Sequence, residues 1–181
     1  MVECLTKEML ADEAMGATDG DPFPTLRVCF VCTGNTCRSP MAAAVANALA
    51  AKEKAEMGAL KIEAWSAGLY AAEGEPISQN AVAALETMGV AVTAGKDYHT
   101  HTAHTLSAEE AERFDLLIGL SGGHCMELLM RFPQVAQRIV GMPVSISDPY
   151  GGDLSVYQQC LEEIEKGVRT LLFSSHEERK P

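Results

Sequence analysis

At 181 residues with 47% apolar composition, the chain has material for one buried core and too little for two domains of ordinary size. A formal net charge of −11 argues against a general nucleic-acid binder, which needs a basic face to displace counterions from phosphates, so any anion site must be local. No stretch reaches the roughly 18 apolar residues of a membrane span, the first residues lack the basic and apolar regions of a secretory signal, and six irregularly spaced cysteines fit reduced thiols, so a soluble, cytoplasmic protein is expected.

Residues 1–25 end in the breaker-rich TDGDPFP and read as an extension with no assigned role; 26–176 read as the domain and 177–181 as a C-terminal tail. Residues 27–32 are β-branched and aromatic, a buried strand, and the alanine-rich run from Met41 is a helix by propensity. LKIEAWSAG (60–68) predicts a strand, ISQNAVAALETMG (77–89) a helix closed by glycine, EEAERF (109–114) a short helix and DLLIGLS (115–121) a strand. GGHCMELLMRF (122–132) predicts a helix before Pro133, and RIVGMP (138–143) a weaker strand. From Ser155 an amphipathic helix is expected, with Val156, Cys160, Ile164 and Val168 on its inner face. Strands alternating with helices predict an α/β single domain with a central parallel, four-stranded sheet flanked by helices.

Ligands of such sheets bind beyond the carboxyl ends of the strands, and the most unusual stretch, VCFVCTGNTCRSP (28–40), sits at such an end. A zinc site from Cys29, Cys32 and Cys37 fails for want of a fourth ligand, and strand alternation sends Cys29 away from Cys32 into the core. Neither a Walker-type loop nor a dinucleotide fingerprint is present. An anion cradle fits better. Ser39 and Pro40 make a helix start, serine as N-cap and proline at the first helical position, so the loop from Thr33 to Arg38 lies over a positive helix end. Gly34 would allow the tight turn, backbone N–H groups of Thr33, Gly34, Asn35, Thr36 and Cys37 would form a nest, and Arg38 would add a planar fork for two phosphate oxygens. Cys32 at the mouth of that nest is then a nucleophile favoured as thiolate, with Ser39 donating its hydroxyl to the sulfur.

CTGNTCRSPMA, SAGLYAAEGEPIS and DPYGGD (148–153) together resemble the low-molecular-weight protein tyrosine phosphatase family, and within it the bacterial protein arginine phosphatases, from about Arg27 to the C-terminal helix. The resemblance implies that fold, a phosphocysteine at Cys32, a phosphate clamp at Arg38 and a general acid, then base, at Asp148. It implies that Asn35 and Ser39 hold the loop and that Cys37 forms a reversible disulfide with Cys32. Pro149 restricts Asp148 to an extended conformation on a turn-rich loop, which suits an acid placed opposite the thiolate.

In the arginine phosphatases the threonine at the position of Thr36 is the selectivity filter, where tyrosine-specific members carry isoleucine or cysteine. Gly151 and Gly152 after Tyr150 thin the aromatic wall, and Tyr70 is a further candidate for that wall. Phosphoarginine is therefore the expected substrate, with phosphotyrosine the alternative. Arsenate reduction would need a second close cysteine pair, for which Cys125 and Cys160 are too far apart in sequence, and a binding-only module would need a broken catalytic set. His99, His101 and His104 read as a solvated loop, with His101 at a family position, and His124 as a helix-end residue. No metal or organic cofactor is implied; the expected partners are phosphorylated proteins, not nucleic acid or membrane, and the expected state is a monomer.

Overall fold

A computed structural model describes residues 24–57 and 61–173. The strands are β1 (Thr25–Cys32), β2 (Lys61–Gly68), β3 (Leu116–Gly119) and β4 (Ile139–Gly141); the helices are α1 (Arg38–Met57), α2 (Gln79–Thr87), α3 (Ala108–Arg113), α4 (Gly122–Arg131) and α5 (Leu154–Val168). The four strands pair in parallel in the order β2-β1-β3-β4. The expected extension and tail lie outside the described residues, apart from Pro24 and Thr25, and β1 begins two residues before the predicted strand, where Leu26 pairs with Ile62 and is buried.

Alternation along β1 divides the core. Val28, Phe30 and Cys32 face α1, α2 and α5, while Cys29 and Val31 face the opposite layer with Ala111 of α3 and Leu128 of α4. Met41, Ala42, Ala43, Ala44, Val45, Ala46 and Leu49 are buried on α1, and the run of alanines lets the helix lie close to both the sheet and α5. On α5 the inner face is Tyr157, Cys160, Leu161, Ile164 and Val168; Val156, expected there, is exposed and lies against Gly152 of the preceding loop.

β1 has β2 on one side and β3 on the other, so successive connections leave it in opposite directions. That reversal opens a crevice at its carboxyl end, where the β1–α1 turn lies. Among the described residues no helix is long and apolar enough to cross a membrane.

Candidate active site

β1 delivers Cys32 at its end, and the chain turns through residues 33–37 into α1. Three carbonyls of the turn are tied to the surrounding frame. Thr33 accepts from the N–H groups of Leu69 and Tyr70 at 3.1 and 2.9 Å, Asn35 from His101 Nε2 at 2.8 Å, and Thr36 from the N–H of Ser78 at 2.9 Å. Among the described residues no protein acceptor takes the backbone N–H groups of Gly34, Asn35, Thr36 or Cys37. Carbonyls held outward and N–H groups left over, at the start of a 20-residue helix, can hold an anion.

The turn closes at Asn35, whose φ of 56° is the left-handed conformation that asparagine tolerates better than most residues. Its buried side chain braces three elements: Oδ1 accepts from the N–H of His104 at 3.1 Å, and Nδ2 donates to Ser39 Oγ at 2.9 Å and Ser66 Oγ at 3.0 Å. The tight turn expected of Gly34 is therefore made by Asn35, and a Cβ on Gly34 would meet only Thr36 Oγ1 at 3.9 Å.

Close approach is demanded of Gly68 instead. A Cβ there would lie 2.7 Å from the Thr33 carbonyl oxygen, 2.9 Å from Ala71 Cβ and 3.2 Å from Asn35 Cβ. The Thr33 carbonyl is already fixed by two N–H donors and cannot swing away. Gly68→Ala is expected to cost about 1–3 kcal/mol of stability by overpacking and to lower turnover about 10-fold by displacing the turn; denaturant melts and kinetics on one preparation check both.

Ser39 is not the N-cap: α1 starts at Arg38, so Ser39 and Pro40 fall in its first turn, where the N–H that proline lacks would have had no partner within the helix. The serine has another use. Its Oγ accepts from Asn35 Nδ2, which leaves its own proton for Cys32 Sγ at 3.0 Å. A buried chain of hydrogen bonds thus runs from Asn35 through Ser39 and ends on the sulfur.

Arg38, 8% exposed, donates from Nη1 to the Ile146 carbonyl at 3.1 Å and brings Nη2 within 3.5 Å of Asp148 Oδ2. The Asp148 segment is anchored in turn, the N–H of Ile146 donating to the Leu120 carbonyl at 2.8 Å. Asp148 also starts a turn, its Oδ1 accepting from the N–H of Tyr150 at 3.1 Å, which leaves Oδ2 facing Arg38. Its side chain is 57% exposed, so it has access to solvent while adjoining the clamp.

Tyr70 and Tyr150 are both exposed. The Tyr70 hydroxyl donates to Glu127 and the Arg131 guanidinium lies 4.2 Å over its ring, whereas Tyr150 extends into solvent at 80% exposure. Cys37 is buried with Sγ 3.3 Å from the Tyr157 hydroxyl; burial and that thiol push the Tyr157 hydroxyl up to about 12. Burial also pushes up the thiols of Cys29, Cys125 and, to about 12, Cys160. Cys125 lies on α4 and Cys160 on α5, in layers on opposite faces of the sheet.

The three clustered histidines part company. His99 is held between Asp97 and Glu86 at 2.7 and 2.8 Å, away from the turn. His101 and His104, expected on a solvated loop, are half-buried and brace Asn35, with His104 Nε2 on Glu110 at 3.0 Å. The residue that sequence reasoning missed is His124: it is buried, with Nε2 3.0 Å from Thr33 Oγ1 and Nδ1 2.8 Å from Ser121 Oγ. Burial and the Arg38 charge hold it down to about 4. Its one sequence signal was its position at the start of a helix following a strand, on the ligand side of the sheet.

Residues 27–180 match the family described as low molecular weight phosphotyrosine protein phosphatase. The chain is similar to a protein-arginine-phosphatase of Geobacillus stearothermophilus, 32% identical over 77% of this chain and 88% of that protein. It is also similar to a low molecular weight protein-tyrosine-phosphatase of Streptomyces coelicolor, 35% identical over 85% of this chain and 96% of that one. A solved structure of a cysteine-to-serine mutant of the YwlE arginine phosphatase, with a phosphorylated active-site serine, superposes with a TM-score of 0.73, at 27% identity over 85% of this chain and 98% of that one.

Proposed function

The chain belongs to the low molecular weight phosphotyrosine protein phosphatase family, and on that premise we propose that it removes phosphate from phosphoarginine in proteins, with Cys32 as nucleophile. The observation that carries the chemistry is the juxtaposition of Cys32 Sγ, 3.0 Å from Ser39 Oγ, with four unclaimed N–H groups and an Arg38 fork adjoining Asp148. The Cys32 thiolate attacks phosphorus while the N–H groups of residues 34–37 and Arg38 hold the non-bridging oxygens. As the S–P bond forms and the P–N bond breaks, protonated Asp148 gives its proton to the departing arginine nitrogen. Asp148, now a carboxylate, takes a proton from water, which attacks the phosphocysteine and releases inorganic phosphate and the thiolate. The phosphorylated serine in the related mutant supports a covalent step at this position.

Two features support phosphoarginine. Thr36 places a hydroxyl in the turn, 3.6 Å from Cys37 Sγ, with its backbone fixed through Ser78, and Gly151 leaves open space beside Tyr150, whereas Gly152 lies against Val156. A slim, planar guanidinium needs less aromatic wall than a phenyl ring, and once Asp148 has given up its proton its carboxylate can pair with the departing guanidinium. Cys37 is proposed as the redox guard of Cys32 and the enzyme as a cytoplasmic monomer. Phosphotyrosine is the second reading, supported by the Streptomyces relative, whose identity exceeds that of the Geobacillus one.

Matched phosphoarginine and phosphotyrosine peptides, under reducing conditions, distinguish the two. The native protein is expected to prefer phosphoarginine, and Thr36→Ile, which replaces the hydroxyl by apolar bulk, to shift the ratio of kcat/KM values at least about 10-fold toward phosphotyrosine. A native preference for phosphotyrosine, unmoved by Thr36→Ile, would refute the substrate assignment and leave the mechanism standing.

A further inference from the structure

We propose that His124 is a positioning residue of this phosphatase, which fixes Thr33 Oγ1 so that its hydroxyl donates to the phosphoryl group in the cradle. The inference rests on Cys32 being the nucleophile of that cradle, and Thr33 is its neighbour in the chain.

The hydrogen bonds around the imidazole admit a direction that serves this role, and we assign it. Ser121 is the N-cap of α4, its Oγ accepting from the N–H of His124 at 3.4 Å, which leaves the Ser121 proton for Nδ1 at 2.8 Å. With Nδ1 an acceptor, the neutral ring carries its proton on Nε2 and donates it to Thr33 Oγ1 at 3.0 Å. The Thr33 oxygen is then occupied as an acceptor, and its proton has no other protein partner among the described residues. It remains available to an oxygen of the bound phosphoryl group. Burial and the positive Arg38 on α1 outweigh Asp148 of the 142–153 segment and Glu127 of α4, which pull the other way, and hold the ring down to about 4, so it is neutral through the physiological range. A protonated ring would lose the acceptor at Nδ1 and set a second positive charge near the clamp. The helix α4 thus serves as a post: its cap orients the imidazole, and the imidazole orients the threonine.

Amide substitutions separate positioning from mere packing. The side chain of His124→Gln reaches the place of Nε2 and restores a donor to Thr33, whereas His124→Asn reaches only the place of Nδ1. With a phosphoarginine peptide, His124→Asn is expected to lose about 10-fold in kcat/KM, the worth of one hydrogen bond, and His124→Gln to recover to within about threefold of the native protein. Thr33→Val is expected to match His124→Asn, and the double variant to be no worse than Thr33→Val alone. Equal losses in the two amide variants, or full additivity in the double variant, would overturn the proposal. Should His124→Asn not fold, an unchanged kcat/KM in Thr33→Val overturns it alone. Failure of the native protein to turn over the peptide would instead overturn the underlying phosphatase reading.

Discussion

Cys32→Ser is expected to abolish turnover of phosphoarginine peptides, with kcat reduced by about 10⁴-fold or more, because serine is a far weaker nucleophile than a thiolate and, once phosphorylated as in the related mutant, holds its phosphate as a stable ester. Among the described residues the remaining thiols are poor candidates to take its place: Cys29 and Cys160 are buried in the core, Cys125 lies on α4 and Cys37 is turned toward Tyr157. The substitution leaves the frame intact, since serine is smaller than cysteine, the Asn35–Ser39 bond is independent of the sulfur, and the carbonyls of the turn are held by residues elsewhere. An unchanged melting temperature with lost turnover is the expected pair of results. Residual activity within about 10-fold of the native protein would mean that the sulfur does not carry the reaction.

Asp148→Asn is expected to lower kcat on the same peptide by about 10²–10⁴-fold, the usual range for a general acid, with little change in KM. The arginine nitrogen is a poor leaving group unless protonated, so the loss falls on the first chemical step. In kcat/KM, which reports attack on phosphorus and not the later hydrolysis that also uses Asp148, an aryl phosphate whose phenolate leaves without a proton should lose far less, and the contrast between the two substrates is the specific signature. The neutral amide keeps the size of the carboxyl group and can still receive the N–H of Tyr150, so the turn at 148–150 is retained. A uniform loss across both substrates would point to Asp148 as an anchor of Arg38, its neighbour at 3.5 Å, rather than as a proton donor.

How far the sequence foretells this structure depends on the range of the interactions concerned. The strands were legible because short apolar, β-branched runs are a local signal, and the opposite facing of Cys29 and Cys32 followed from the alternation of side chains along a strand. The cradle was legible because its nucleophile, turn and clamp lie within seven consecutive residues, 32–38. Helix starts were less so: α1 begins at Arg38 because the turn itself supplies the first helical carbonyl, that of Cys37 accepting from the N–H of Met41 at 3.2 Å. Contacts between distant residues left no local trace. Thr33 and His124 are 91 positions apart, and the need for glycine at 68 arises only when β2 is laid beside the turn. Likewise, the left-handed residue of the turn is Asn35 rather than Gly34, because the choice was made by the bracing of its side chain from Ser39, Ser66 and His104. The histidine cluster looked alike in sequence, yet the fold sends two of its members to the turn and one to the surface.

The most direct test of the account traps the covalent intermediate. Native protein mixed in excess with a phosphoarginine peptide, stopped within the first turnover and mapped by mass spectrometry, is predicted to carry phosphate on Cys32 and on no other residue, with the same label accumulating further in Asp148→Asn if a nitrophenyl phosphate, whose phenolate leaves without a proton, is used to load it. Phosphate on a different side chain, or peptide hydrolysis with no labelled protein at any time point, would contradict a phosphocysteine at Cys32.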